Sequence, residues 1–136
     1  MTCVHLATEV DTLALGARLA SLLVVGDVVG LSGELGAGKT TLVRGLLREL
    51  GYEGEVRSPT FNLIQEFATE PPVCHADLYR LENAAQVADL GLRDYSGSYV
   101  TLVEWPERGG VEPNVWVRLS FSSDGGRDAV VEGVSL

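Results

Sequence analysis

Three glycines, a lysine and two threonines form the chemically richest stretch of the chain, Gly33-Glu34-Leu35-Gly36-Ala37-Gly38-Lys39-Thr40-Thr41. The spacing is G-x-x-x-x-G-K-[ST], and the chemistry it can do is phosphate binding. Gly33, Gly36 and Gly38 let the backbone turn with φ > 0 and let a ligand approach with no Cβ in the way. Successive amide groups, that of Ala37 among them, then converge into an anion nest at the start of a helix, whose dipole adds to the attraction. The Lys39 ammonium is a compact point charge suited to β- and γ-phosphates, and the Thr40 hydroxyl is suited to Mg²⁺, with Thr41 next in the first helical turn. Lys39 is the chain's only lysine, against nine arginines. A slim, non-planar ammonium stands at the one place where that shape matters.

A phosphate loop needs carboxylates nearby. The run Val100-Thr101-Leu102-Val103-Glu104 is apolar and ends in an acid, the form of a second strand that delivers a carboxylate to the sheet's C-terminal edge. Glu104 either binds Mg²⁺, through water, or orients an attacking water. Asp77 also stands near the end of an apolar run and is read as a metal-shell or base carboxylate, in competition with an ion pair to Arg80. Thr60, within Ser58-Pro59-Thr60-Phe61, is either a γ-phosphate-sensing hydroxyl or part of a Pro-induced turn. His75, on an apolar run, reads as a packed residue. Trp105 is a core anchor or a contact surface, and Trp116 reads as core. A guanine-reading Asn/Thr-Lys-x-Asp motif needs a second lysine, so ATP is expected by elimination.

The elements that must position these residues follow from periodicity. Residues 2–7 read as an edge strand. Thr8 reads as an N-cap, with Asp11 in the capping-box position, opening a helix over 9–24 whose apolar spacing runs through Val10, Leu13, Ala14, Ala17 and Ala20. Residues 27–32 form the strand entering the loop, and Thr41 to Leu50 the helix leaving it, with Val43, Leu46, Leu47 and Leu50 on one face. Further strands are expected at 61–67, 73–79, 99–105, 115–121 and 129–134, the last two joined at Asp124-Gly125-Gly126, with a short helix at 83–90. The expected fold is α/β, a P-loop NTPase of three layers, its mixed sheet parallel around the loop and antiparallel at one edge.

At 136 residues, residues 1–136 are expected to make one domain. A net charge of −9 argues against gripping nucleic acid unaided, since phosphate backbones need clustered cations. Cys3 and Cys74 have no metal-binding spacing and read as reduced thiols of a cytosolic protein. Neither a signal peptide nor a membrane span is expected.

Four ordered motifs, Gly33–Thr41, Ser58–Phe61, His75-Ala76-Asp77-Leu78-Tyr79-Arg80-Leu81 and Val103-Glu104-Trp105-Pro106-Glu107, resemble the bacterial TsaE (YjeE) family over nearly the whole chain. The resemblance implies a small cytoplasmic ATPase using Mg²⁺. It implies a role in making N6-threonylcarbamoyladenosine next to the anticodon of tRNAs that read codons beginning with A. The implied partners are TsaD and TsaB, which hold the tRNA while ATP turnover resets the complex. It further implies Lys39 as phosphate lysine, Thr40 and Glu104 as Mg²⁺ ligands, and Asp77 as a functional carboxylate. Thr60 becomes a switch residue and Trp105 a site or interface residue. Glu9 and Arg127, outside the strong motifs, correspond to positions that line the nucleotide. Glu34 stands where the family commonly has Asp. A small-molecule kinase and a nucleotide sensor with negligible hydrolysis are the competing functions, and the few residues left for an acceptor lid weigh against the first.

Overall fold

The computed structural model describes residues 1–34, 36–57, 64–79, 91–95 and 97–136, with Arg93 and Asp94 described by their backbone. Ser58, Thr60, Arg80 and the helix expected over 83–90 lie outside the described residues. The elements, in chain order, are strands β1 (Thr2–Leu6), β2 (Val28–Ser32), β3 (Ile64–Phe67), β4 (Val73–Asp77), β5 (Val100–Glu104), β6 (Val115–Phe121) and β7 (Arg127–Glu132), with helices α1 (Glu9–Leu22) and α2 (Lys39–Glu49). One seven-stranded sheet has the order β1-β7-β6-β2-β5-β4-β3.

The central strands β6, β2, β5 and β4 run parallel, which gives the α/β P-loop architecture. Antiparallel pairing closes both edges of the sheet, where one was expected: β1 and β7 on one side, β3 on the other. The short connection from Phe67 to Val73 can only return the chain alongside itself, since a parallel pair needs a long crossover. Both faces of the centre are buried, so β2, β4 and β5 read as nearly continuous apolar runs. On one face Val73, Val100 and Leu102 join the main core with α1 and α2. On the other, Cys74, Ala76 and Val103 pack with Leu78 and Leu92. Side chains alternate between faces along a strand, so His75, Asp77 and Glu104 all fall on the helix side.

Helix α1 opens as expected. Thr8 N donates to Asp11 Oδ2 at 3.1 Å, and the Asp11 amide donates back to the Thr8 hydroxyl. Its buried stripe is Thr12, Leu15, Gly16, Leu19 and Ala20, whereas Val10 is exposed. The expected stripe is therefore rotated. Backbone contact sets it: a Cβ on Gly16 would collide with the Leu42 carbonyl, and one on Gly45 of α2 with the Leu13 carbonyl. The two glycines let the helices touch main chain to main chain.

Some boundaries shift. β4 ends at Asp77 and β7 begins at Arg127, two residues ahead of the expectation. Trp116 is half-buried rather than core, with the Arg118 guanidinium 4.3 Å over its ring. No helix among the described residues is long and apolar enough to cross a membrane.

Candidate functional site

The loop between β2 and α2 has the conformation its glycines permit. Gly33, Gly36 and Gly38 have φ of 155°, 84° and 107°, values at which a side chain would be strained. Gly38 is the N-cap of α2 and supplies no side-chain cap. The first amides of the helix therefore receive no side-chain oxygen from the N-cap, the arrangement in which a helix N-terminus is open to an anion. Ala37 differs: its methyl is fully buried and its N–H donates to the Glu34 carbonyl at 2.9 Å, so it shapes the loop from within.

Lys39, the first helical residue, points back across the sheet edge. Its Nζ lies 3.6 Å from Glu104 Oε1, and both side chains are nearly buried. The other carboxylate oxygen, Oε2, lies 2.8 Å from His75 Nε2. Burial by itself would push Glu104 up. The His75 hydrogen bond and the charges of His75 and Lys39 outweigh it and hold the carboxyl below its usual value. Asp77 is paired in register with Glu104, and its Oδ1 accepts from the Tyr79 amide at 3.0 Å. Lys39, Asp77 and Glu104 therefore converge at the C-terminal ends of β4 and β5, the edge where sheets of this kind bind ligands.

The backbone turns sharply after Glu104. Trp105 has φ 58°, ψ 50°, left-handed and costing about 1–2 kcal/mol for a residue with a Cβ. Contacts on both sides hold it. The Lys39 ammonium sits 5.3 Å from the ring centroid, Tyr79 packs at 5.2 Å, and the Arg108 guanidinium lies over both rings at 5.0 and 5.5 Å. Trp105 is thus an aromatic shelf beside the lysine.

Two cavities flank the loop. One of about 270 Å³ is lined by Thr8, Glu9, Thr12, Gly36, Gly38, Thr41, Gly126 and Arg127. Glu9 is exposed there and Arg44 reaches it at 3.4 Å. Arg127 donates from Nη1 to the Gly125 and Gly126 carbonyls and from Nη2 to the Gly36 carbonyl, each at 3.0 Å, tying the β6–β7 turn to the loop. The other cavity, of about 520 Å³, runs between Ser32, Gly33 and Glu34 on one side and Trp105, Glu107 and Phe121 on the other.

The family model for "Threonylcarbamoyl adenosine biosynthesis protein TsaE" matches residues 6–129. The chain belongs to the TsaE family. Three relatives bear the name tRNA threonylcarbamoyladenosine biosynthesis protein TsaE. That of Nostoc is 39% identical over 96% of this chain and 85% of its own length. Those of Haemophilus influenzae and Streptomyces coelicolor are 35% and 47% identical, covering 88% and 81% of this chain and 82% and 76% of theirs. The crystal structure of Bacillus subtilis YdiB is similar in fold, with a TM-score of 0.80 and 30% identity over 94% of this chain and 82% of that one.

Within this TsaE-family fold, Glu9, Gly36, Gly38, Thr41 and Arg127 gather around the smaller cavity, while Lys39, Asp77, Glu104 and Trp105 gather at the sheet edge. Thr40 is half-buried on the first turn of α2. Two residues escape sequence reading. His75 looks like ordinary packing until the β4–β5 register sets it below Glu104. Arg108 is one of nine arginines, with no local pattern to mark it. Its position three residues after Trp105 was the available signal.

Proposed function

We propose that this TsaE-family protein binds Mg·ATP at residues 33–41 and hydrolyses it within the machinery that makes threonylcarbamoyladenosine on tRNA, acting with TsaD and TsaB. The observation that carries the reading is the buried carboxylate at the end of β5, facing the loop's lysine across 3.6 Å. A loop, a lysine and a strand-end acid in that relation are the parts phosphoryl transfer uses.

The donor set fits the metal. Mg²⁺ keeps several waters and takes one or two protein oxygens besides phosphate. Among the described residues no three His, Cys, Asp or Glu side chains form a ready-made cage. Thr40 and Glu104 would hold the ion, with Asp77 beside them, and Mg²⁺ would supply charge neutralisation on the phosphates. Lys39 then leaves a carboxylate for a phosphate oxygen. Glu104 or Asp77 orients water, and the loop amides stabilise negative charge as it develops. Glu9, Thr41 and Arg127 border the space for the nucleoside.

Arg127 is engaged with three backbone carbonyls and Arg108 with two aromatic rings. Neither is aimed as an arginine finger, a device worth ~10³–10⁵ in rate. On this reading hydrolysis by the isolated chain is slow, and partners stimulate it. With a net charge of −9, this subunit leaves tRNA to its partners, and ATP turnover resets the complex. Phosphate release with and without TsaD–TsaB tests this reading, alongside modification of tRNA transcripts. If Lys39→Ala leaves both unchanged, the reading is wrong.

A further inference from the structure

Glu104 has two oxygens with two different partners, and only one of them faces the loop. Oε1 looks toward Lys39, whereas Oε2 is bound inside the sheet by His75. The imidazole lies at the middle of β4 and is fully buried, with Cys74 and Ala76 beside it along the strand and Gln65 of β3 and Leu102 of β5 paired with it across the sheet. A buried polar ring is costly unless its nitrogens are bonded. Nε2 meets Glu104 at 2.8 Å, and Nδ1 has no hydrogen-bond partner among the described residues.

We propose that His75 is the positioning residue of the site, acting through Glu104 to keep one carboxylate oxygen aimed at the phosphate loop. This rests on the hydrolysis reading above. His75 is fully buried and lines neither of the two cavities beside the loop, so its effect passes through the carboxylate. Facing an ionised carboxylate, Nε2 is the donor, and that bond fixes the orientation of the ring as well as the rotamer of Glu104. The parallel register Asp77↔Glu104 and His75↔Leu102 makes the contact reproducible: it places the ring two residues below the acid on the adjoining strand. Anchoring Oε2 prevents the carboxylate from closing around Lys39 with both oxygens, and it leaves Oε1 for the metal shell. The arrangement parallels the outer-shell bonds that orient metal ligands, whose loss lowers activity or affinity on the order of 10- to 100-fold.

The test compares His75→Leu, which removes the donor and keeps an apolar volume, with His75→Gln, which keeps an N–H near the position of Nε2. Expected for His75→Leu is a fall in kcat for ATP on the order of 10- to 100-fold, with KM changed by less than about threefold. His75→Gln restores most of it. In a Glu104→Gln background, His75→Leu costs nothing further, because the route through the acid is already cut. Imidazole ¹⁵N NMR of the nucleotide-free protein gives a second readout. The Nε2 proton of His75 is hydrogen-bonded in the wild type and shifts in Glu104→Ala, which serves even if His75→Leu does not fold. Unchanged kcat in His75→Leu, an equal loss in His75→Gln, additive losses in the double variant, or an Nε2 signal indifferent to Glu104 each overturn the proposal. A wild type that hydrolyses nothing, even with its partners, sinks the hydrolysis reading instead, and the NMR arm still judges the contact.

Discussion

Each of the two histidines holds a carboxylate at 2.8 Å, in opposite surroundings. His75 meets Glu104 in the sealed centre of the sheet. His5, half-exposed on the edge strand β1, meets Asp128 through Nδ1 and Asp124 through Nε2, bridging β7 and the β6–β7 turn. The contact distances are equal and their worth is not. At the surface, water competes for both partners and salt screens them, so such pairs contribute little. In the interior the attraction is stronger, and so is the penalty for leaving either member alone. The buried pair can therefore be used to hold a working group still, while the exposed one is a clasp on an edge.

Removing the buried acid is the most severe way to break this contrast. Glu104→Ala leaves His75 and Lys39 without their shared partner. The expected cost is about 3–5 kcal/mol in urea unfolding, together with an ATP turnover lowered by roughly 10²–10³. Equal stability of variant and wild type would erase the distinction between the two sites. Arg127→Ala falls between the extremes, because its guanidinium is partly exposed yet braces the loop carbonyl of Gly36. Nucleotide binding, followed with a fluorescent ADP analogue, should weaken by about tenfold, the scale of one charge-assisted hydrogen bond.

The exposed clasp responds to pH. Hydrogen bonds to Asp128 and Asp124 raise His5 above its ordinary 6.5. A value raised on folding means that the folded chain holds its proton more tightly. The contribution is then complete below about 6.5 and is lost as pH rises through the folded value. His5→Ala should lower Tm at pH 5.5 and leave it unchanged at pH 9. A Tm difference that persists at pH 9 would show that the clasp is packing rather than charge. The smallest effect belongs to the cysteines beside these two regions. Burial pushes the Cys74 thiol up to about 12, whereas Cys3 is exposed. Iodoacetamide at pH 8 should label Cys3, spare Cys74 and leave Tm within a degree or two.

Most of the scaffold was legible because it is local. The G-x-x-x-x-G-K-T spacing, the Thr8–Asp11 cap and the turn at Asp124-Gly125-Gly126 are decided by residues a few positions apart. What escaped is decided across strands or between helices. The stripe of α1 turned because Gly16 and Gly45 bring two backbones together, and a helix rich in leucine and alanine offers several apolar faces to choose from. The second antiparallel edge depends on where β3 lands after the chain reverses. His75 needed the pairing of β4 with β5 to acquire a partner. Arg127 was expected near the nucleotide, and its hold on the Gly36 carbonyl became visible only with β7 placed against the loop.

Trp105 gives the molecule a built-in optical probe. Its indole lies 5.3 Å from the Lys39 ammonium, whereas the chain's other tryptophan, Trp116, stacks with Arg118 at a different place in the sheet. Indole emission follows the charges around the ring. Any event that draws Lys39 away from Trp105 changes the colour and yield of that emission, with no label attached. In a Trp116→Phe background the entire signal comes from the shelf beside the lysine, so occupancy of the loop can be timed in milliseconds by mixing alone.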